Sequence, residues 1–229
     1  MWRSPVRIRY GPLMTSEQLK PEEFNAHVKN GTFRLAFVGM SNAGKSYRSR
    51  ILSEEVNFLW YHVDKKISTA LGLKTTEDVS RWMGYPSAPG YEEKEHQYLE
   101  LEDQFTRDAA MQTHGKNLVF DTTGSVIYLT KKTLEMLREN CLIVHLDVGE
   151  DSVGELIERF FKEPKPVVWS GFFDIRPGES EREALRRSYP LLLHDRLLRY
   201  RALAHVNIPV SKFYDASAEK TLAIIKEHL

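Results

Sequence analysis

Eight consecutive residues, Gly39-Met40-Ser41-Asn42-Ala43-Gly44-Lys45-Ser46, constrain this chain more than any other feature. They read Gly-x-x-x-x-Gly-Lys-Ser. The apolar run Phe33-Arg34-Leu35-Ala36-Phe37-Val38 stands before them, and a helical stretch from Lys45 to Leu52 follows. Strand, glycine turn and helix are the setting in which this spacing wraps a phosphate. Gly39 and Gly44 permit the backbone conformations and the close approach that such a turn needs. Backbone N–H groups from Ser41, Asn42 and Ala43 through Ser46 and Tyr47 then face an anion at the helix N-terminus. Lys45 reaches the β- and γ-phosphates and the Ser46 hydroxyl ligates Mg²⁺. The expected ligands are a nucleoside triphosphate, ATP, and Mg²⁺.

The rest of the chain fits a sheet built around that loop. Apolar runs at residues 57–63, 117–120, 142–146 and 206–210 read as further strands. Helical patterns occupy 16–29, most of 64–113 with a break at 84–90, then 128–139, 151–162, 181–204 and 217–228. The last helix of the long stretch, 91–114, carries a charged run that reads as a solvated face. Alternating strands and helices imply parallel pairing, right-handed crossovers and a doubly wound sheet. Ligands then bind beyond the carboxyl ends of the strands. Residues 162–180, with Pro164, Pro166, Pro177 and Gly178, read as a lid insertion.

Two carboxylates stand at strand ends. Asp121 follows Leu118-Val119-Phe120; it either supports the metal or caps the turn into Thr122-Thr123-Gly124-Ser125. Asp64 follows the second strand. It either positions or deprotonates an acceptor hydroxyl or caps the helix beginning Lys65-Lys66-Ile67. Arg159, Lys162 and Lys165 flank the lid, and Arg196 and Arg199 follow it. Cations there suit the charge that phosphoryl transfer spreads over oxygen. Arg186, Arg187 and Arg201 read as solvated.

The bulk properties exclude several classes. Lysine plus arginine equal aspartate plus glutamate, 32 against 32, so the basic surplus of a general nucleic-acid binder is missing. No apolar run reaches the length of a membrane span. The single cysteine, Cys141, fits a reducing, cytoplasmic setting and reads as a buried thiol. The histidines form no zinc pattern. Residues 1–13, with Arg3, Arg7 and Arg9 and no acid, read as a disordered or non-native leader before Met14, which leaves one domain over 14–229. The expected partner is a small molecule, with the protein a monomer or weak dimer and neither nucleic acid nor membrane bound.

In order, these segments resemble the shikimate kinase family, within the nucleoside-monophosphate-kinase-like group. The resemblance runs from about Arg34 to the C-terminus. It rests on the phosphate loop, Asp64-Lys65-Lys66-Ile67, Phe120-Asp121-Thr122-Thr123-Gly124-Ser125, Leu156-Ile157-Glu158-Arg159, Lys165-Pro166-Val167-Val168 and Arg196-Leu197-Leu198-Arg199-Tyr200. It implies an α/β, three-layer P-loop kinase fold with a doubly wound, five-stranded parallel sheet, helices on both faces and a LID. It also implies an ATP- and Mg²⁺-dependent transferase acting on an alcohol group. Lys45, Asp64 and Asp121 would be catalytic, Ser46 and Asp121 would hold metal, and Arg159 and Lys165 would join the phosphate loop on the nucleotide. Asp64, Gly124 and Arg196 would hold an anionic acceptor, with about 64–114 as the acceptor-binding helical region. The departures fall in the acceptor half. His62 stands where a first acid would be, the triple glycine is reduced to Gly124, Lys165 replaces the lid-entrance arginine, and residues 74–110 show no second acceptor-binding arginine, Lys94 being the nearest cation in role. A kinase for a sugar acid or nucleotide, or a nucleotide-binding regulator that has lost acceptor chemistry, remain alternatives.

Overall fold

The strand residues alternate, and that alternation builds the layers. In β1 (Arg34–Val38), Leu35 and Phe37 face one core while Ala36 and Val38 face the other. Period-two burial on both faces is what a central parallel strand requires. β2 (Leu59–His62), β3 (Leu118–Asp121), β4 (Leu142–Asp147) and β5 (Val206–Pro209) complete a sheet ordered β2-β3-β1-β4-β5, every pair parallel. This computed structural model describes residues 19–111, 115–163 and 165–229. The expected leader, Met14 and the start of the 16–29 helix lie outside the described residues, as do His114 and Pro164.

Helices cover both faces. α1 (Pro21–Asn30), α2 (Lys45–Val56) and α9 (Ala218–Glu227) enclose a core of Phe24, Phe33, Phe37, Leu52, Val144 and Ile225. The opposite core holds Tyr61, Ile67, Phe120, Ile143, Leu193 and Tyr200 beneath α3 (Val63–Ala70), α4 (Thr76–Met83), α5 (Tyr91–Met111), α6 (Lys131–Asn140), α7 (Val153–Lys162) and α8 (Glu181–Leu203). Cys141 is buried there, and burial pushes its thiol up to about 12.

The boundaries differ from expectation in informative places. The helical stretch after β2 breaks at Gly72, left-handed at φ 71°, as well as at 84–90, and Thr75 caps the restart with a reciprocal bond to Asp78. α6 begins at Lys131 rather than near 128, because a short 3₁₀ turn, Val126–Tyr128, precedes its Thr130 cap. The charged helix α5 does not present a purely solvated face. Glu102 is fully buried and Asp103 nearly so.

β1 lies between β3 and β4; the connection leaving β1 runs toward β2 at one edge, and those leaving β3 and β4 run toward β5 at the other. A crevice opens at β1, beyond the strand ends. The loop after β1 and Asp121 at the end of β3 both enter it.

Candidate active site

The glycine loop is held by its own chain. Gly39 has φ 143°, and a Cβ there would come within 2.9 Å of the Leu146 carbonyl oxygen. Gly44, at φ 90°, is the N-cap of α2, and Asn42 adopts φ 66°. Lys45 is buried, and its Nζ donates to the Gly39 and Met40 carbonyls at 2.9 Å each. Burial lowers the Lys45 pKa, opposed by the charges of Asp121 and Asp64. The lysine thus rests on carbonyls that an arriving phosphate can replace.

Asp121 is buried, and its Oδ2 has no hydrogen-bond partner among the described residues. Burial raises its pKa, while Lys45 and the Ser46 hydroxyl pull it down. A buried carboxylate oxygen without a partner is costly unless something fills the gap. A hard divalent cation is such a group, so the Ser46 and Asp121 oxygens fit Mg²⁺. His62 Nε2 lies 3.9 Å from that same oxygen.

Asp64 does not cap α3. His62 does, its Nδ1 accepting from the Lys65 N–H at 3.4 Å, so the capping alternative for Asp64 is corrected. The Asp64 carboxylate is left facing the cleft and accepts from the Tyr98 hydroxyl at 3.1 Å. Across from it lies Arg196, 5% exposed despite its full charge. Arg196 Nη2 donates to the Val168 carbonyl at 2.8 Å, and Nε has no partner among the described residues. Tyr200 donates to the Gly124 carbonyl, and a Cβ on Gly124 would sit 3.2 Å from Arg196 Nη1. Gly124 is therefore kept small by the guanidinium beside it.

Beneath that floor the Glu102 carboxylate accepts from the Thr123 and Ser125 hydroxyls. Burial raises its pKa to about 7; the two hydroxyls oppose the rise, Asp64 adds to it and Arg196 opposes it.

Lys45, Ser46, Asp64, Asp121, Gly124, Lys165 and Arg196 thus meet in one cleft, with Ser41, Asn42, His62, Thr76, Tyr98 and Ser125 in the same walls. Lys165 Nζ donates to Asn42 Oδ1 at 2.6 Å, placing the start of the expected lid on the phosphate loop. Arg159 and Tyr47 lie outside this cleft, lining a neighbouring cavity behind the loop with Ala43 and Gly44. Lys94 and Arg199 do not line the cleft; Arg199 pairs with Asp195 at 2.8 Å. Tyr98, Glu102 and Ser125 were not singled out from the sequence. The signal was present as Tyr91, Glu95, Tyr98 and Glu102, spaced 4, 3 and 4 along one face of α5.

A parallel five-stranded sheet whose first strand feeds a Gly-x-x-x-x-Gly-Lys-Ser turn, helices on both faces, defines the P-loop kinase fold. The family model described as shikimate kinase matches residues 41–222, and the chain belongs to that family, one of small-molecule kinases. Three solved shikimate kinases share the fold. The enzyme from Acinetobacter baumannii, in complex with shikimate, is 20% identical with a TM-score of 0.62, over 89% of this chain and 97% of its own. Those from Bacteroides thetaiotaomicron and Aquifex aeolicus are 18% and 17% identical, with TM-scores of 0.57 and 0.55, each over 85% of this chain and 97% of theirs. No curated protein sequence matches.

Proposed function

We propose that this protein is a cytoplasmic, ATP- and Mg²⁺-dependent kinase that transfers the γ-phosphoryl group to a hydroxyl of a small, anionic metabolite. The observation that carries this reading is the meeting, in one cleft, of the phosphate-loop lysine, the buried Asp121 oxygen that lacks a hydrogen bond, Asp64 and the buried Arg196. Ser46 and Asp121 would hold Mg²⁺, whose charge offsets that of the phosphates. Lys45 exchanges its two backbone carbonyls for β- and γ-phosphate oxygens. Asp64, fixed by Tyr98, binds the acceptor hydroxyl and takes its proton as the new O–P bond forms and ADP departs.

Arg196 supplies the acceptor's anionic anchor, its guanidinium lining the cleft while Nη2 donates to the Val168 carbonyl. It is the sole guanidinium in the cleft among the described residues, which favours an acceptor with one anionic group. Lys165 and the segment to 180 close the site against water. Arg159, on the neighbouring cavity, belongs to the nucleoside half.

The test is ADP release from ATP and Mg²⁺ with a panel of hydroxy acids, sugar acids and nucleotides, shikimate first among them. At least one member should stimulate release. Asp64→Asn should abolish that stimulation while leaving ATP affinity intact. Tight ATP binding with no stimulation across the panel, and no effect of Asp64→Asn in its absence, would favour the regulatory alternative.

A further inference from the structure

Arg48 is a charged side chain that the proposed chemistry does not use, yet it is 7% exposed in the helix that follows the phosphate loop. Its guanidinium crosses from α2 to the turn at residues 213–216. Nη1 donates to the Ala216 carbonyl at 2.6 Å and to Thr221 Oγ1 at 3.5 Å, and Nη2 donates to the Phe213 carbonyl. The same group packs against the rings of Tyr47, at 4.9 Å, and Phe213, at 5.7 Å. A second tie runs in parallel, from the Ala218 N–H to Glu55 at 2.8 Å.

The turn so held has a left-handed residue at its centre. Asp215 adopts φ 55°, a conformation that aspartate tolerates in turns but that the chain does not hold by itself. Arg48 binds a carbonyl on each side of it, so the conformation is fixed from outside the turn. The turn in its turn forms one wall of the cavity behind the phosphate loop, bounded also by Gly44, Tyr47, Val210 and Arg159 and joined to the phosphate cleft at Asn42. A triphosphate seated on the loop has this space for its nucleoside.

We infer that Arg48 is the positioning residue of the nucleoside half of the site: by holding residues 213–216 against α2 it fixes the wall on which the base rests. This rests on the reading of the loop as a triphosphate site. It assigns to nucleotide binding a residue beyond that loop, one that lines the same cavity and holds its far wall through the 213–216 carbonyls.

Inorganic tripolyphosphate offers the loop the same phosphates without a nucleoside, so it separates the two halves. Calorimetric titration of full-length protein, wild type, Arg48→Lys and Arg48→Met, with ATP and with tripolyphosphate gives the comparison. Losing charge-assisted bonds that order a wall should weaken ATP by about tenfold or more in Arg48→Met. Arg48→Lys should fall between it and wild type, and tripolyphosphate affinity should stay within about twofold. Equal loss for both ligands, or loss for neither, would overturn the inference. Should Arg48→Met fail to fold, the ATP-to-tripolyphosphate ratio of Arg48→Lys decides by the same criterion. A wild-type protein that binds neither ligand would instead remove the triphosphate reading, and this inference with it.

Discussion

Glu102 shows how one buried group ties stability to the site. Its pKa, pushed up to about 7 by burial from an ordinary 4.5, is higher in the folded chain than in the unfolded one. The native state therefore holds the proton over a window in which the unfolded state has released it. Its contribution to stability is full below the unfolded value and is lost as pH rises from about 4.5 towards 7. Glu102→Gln removes that loss, since the Thr123 and Ser125 hydroxyls can rotate to meet an amide. Melting temperature measured from about pH 5 to pH 8 should fall less steeply in the variant than in wild type; parallel profiles would contradict this. Gly39 carries the opposite constraint, backbone rather than charge. Alanine there meets the Leu146 carbonyl at 2.9 Å with φ 143°, so Gly39→Ala should lower stability by at least about 1 kcal/mol and abolish ATP binding. A variant that melts like wild type would refute it. Gly39 was legible from the motif because the loop's chemistry is local. Glu102 was not, because sequence alone does not tell a buried carboxylate from the charged neighbours that make α5 look solvated.

At the scale of elements, α5 and the expected lid are one unit. Glu95 Oε1 accepts from the Trp169 and Ser170 N–H groups at 2.6 and 3.2 Å, and Tyr91 donates to the Val167 carbonyl at 2.9 Å. Trp169 is buried among Phe160, Phe173 and Tyr189. The start of the 162–180 segment is thereby pinned, which proline content alone does not reveal. Its far half is held differently. Arg187, expected in solvent, reaches back to Glu179 at 2.9 Å and Asp174 at 3.1 Å. Surface pairs of this kind restrain a loop while adding little to global stability. Hydrogen exchange should find the Trp169 and Ser170 amides protected without nucleotide, and Glu95→Ala should speed their exchange by about tenfold or more. Unchanged rates would contradict the anchoring. Arg187→Ala should increase proteolysis within residues 171–179 with melting nearly unchanged, and ATP with Mg²⁺ should reduce that cleavage. Cleavage indifferent to both would argue against closure.

Across the whole molecule, the sheet was legible because each strand is an apolar run followed by a turn or helix signal. The order β2-β3-β1-β4-β5 was not legible, because right-handed parallel crossovers on both sides of β1 allow more than one order. The donor half was readable because residues 39–46 are contiguous. The proposed acceptor half draws on α3, α5, the turn after β3, the segment after Lys165 and α8, so Asp64, Tyr98, Gly124, Val168 and Arg196 meet only on folding. The claim that joins the halves is direct transfer from donor to acceptor. Its most direct test uses ATP labelled in the γ-phosphoryl group, with Mg²⁺ and whichever panel member stimulates ADP release. The label should appear on the acceptor's hydroxyl oxygen in proportion to ADP formed, and Lys45→Met should reduce that transfer by at least about 100-fold. Label recovered only as inorganic phosphate, with the acceptor unchanged, would contradict it.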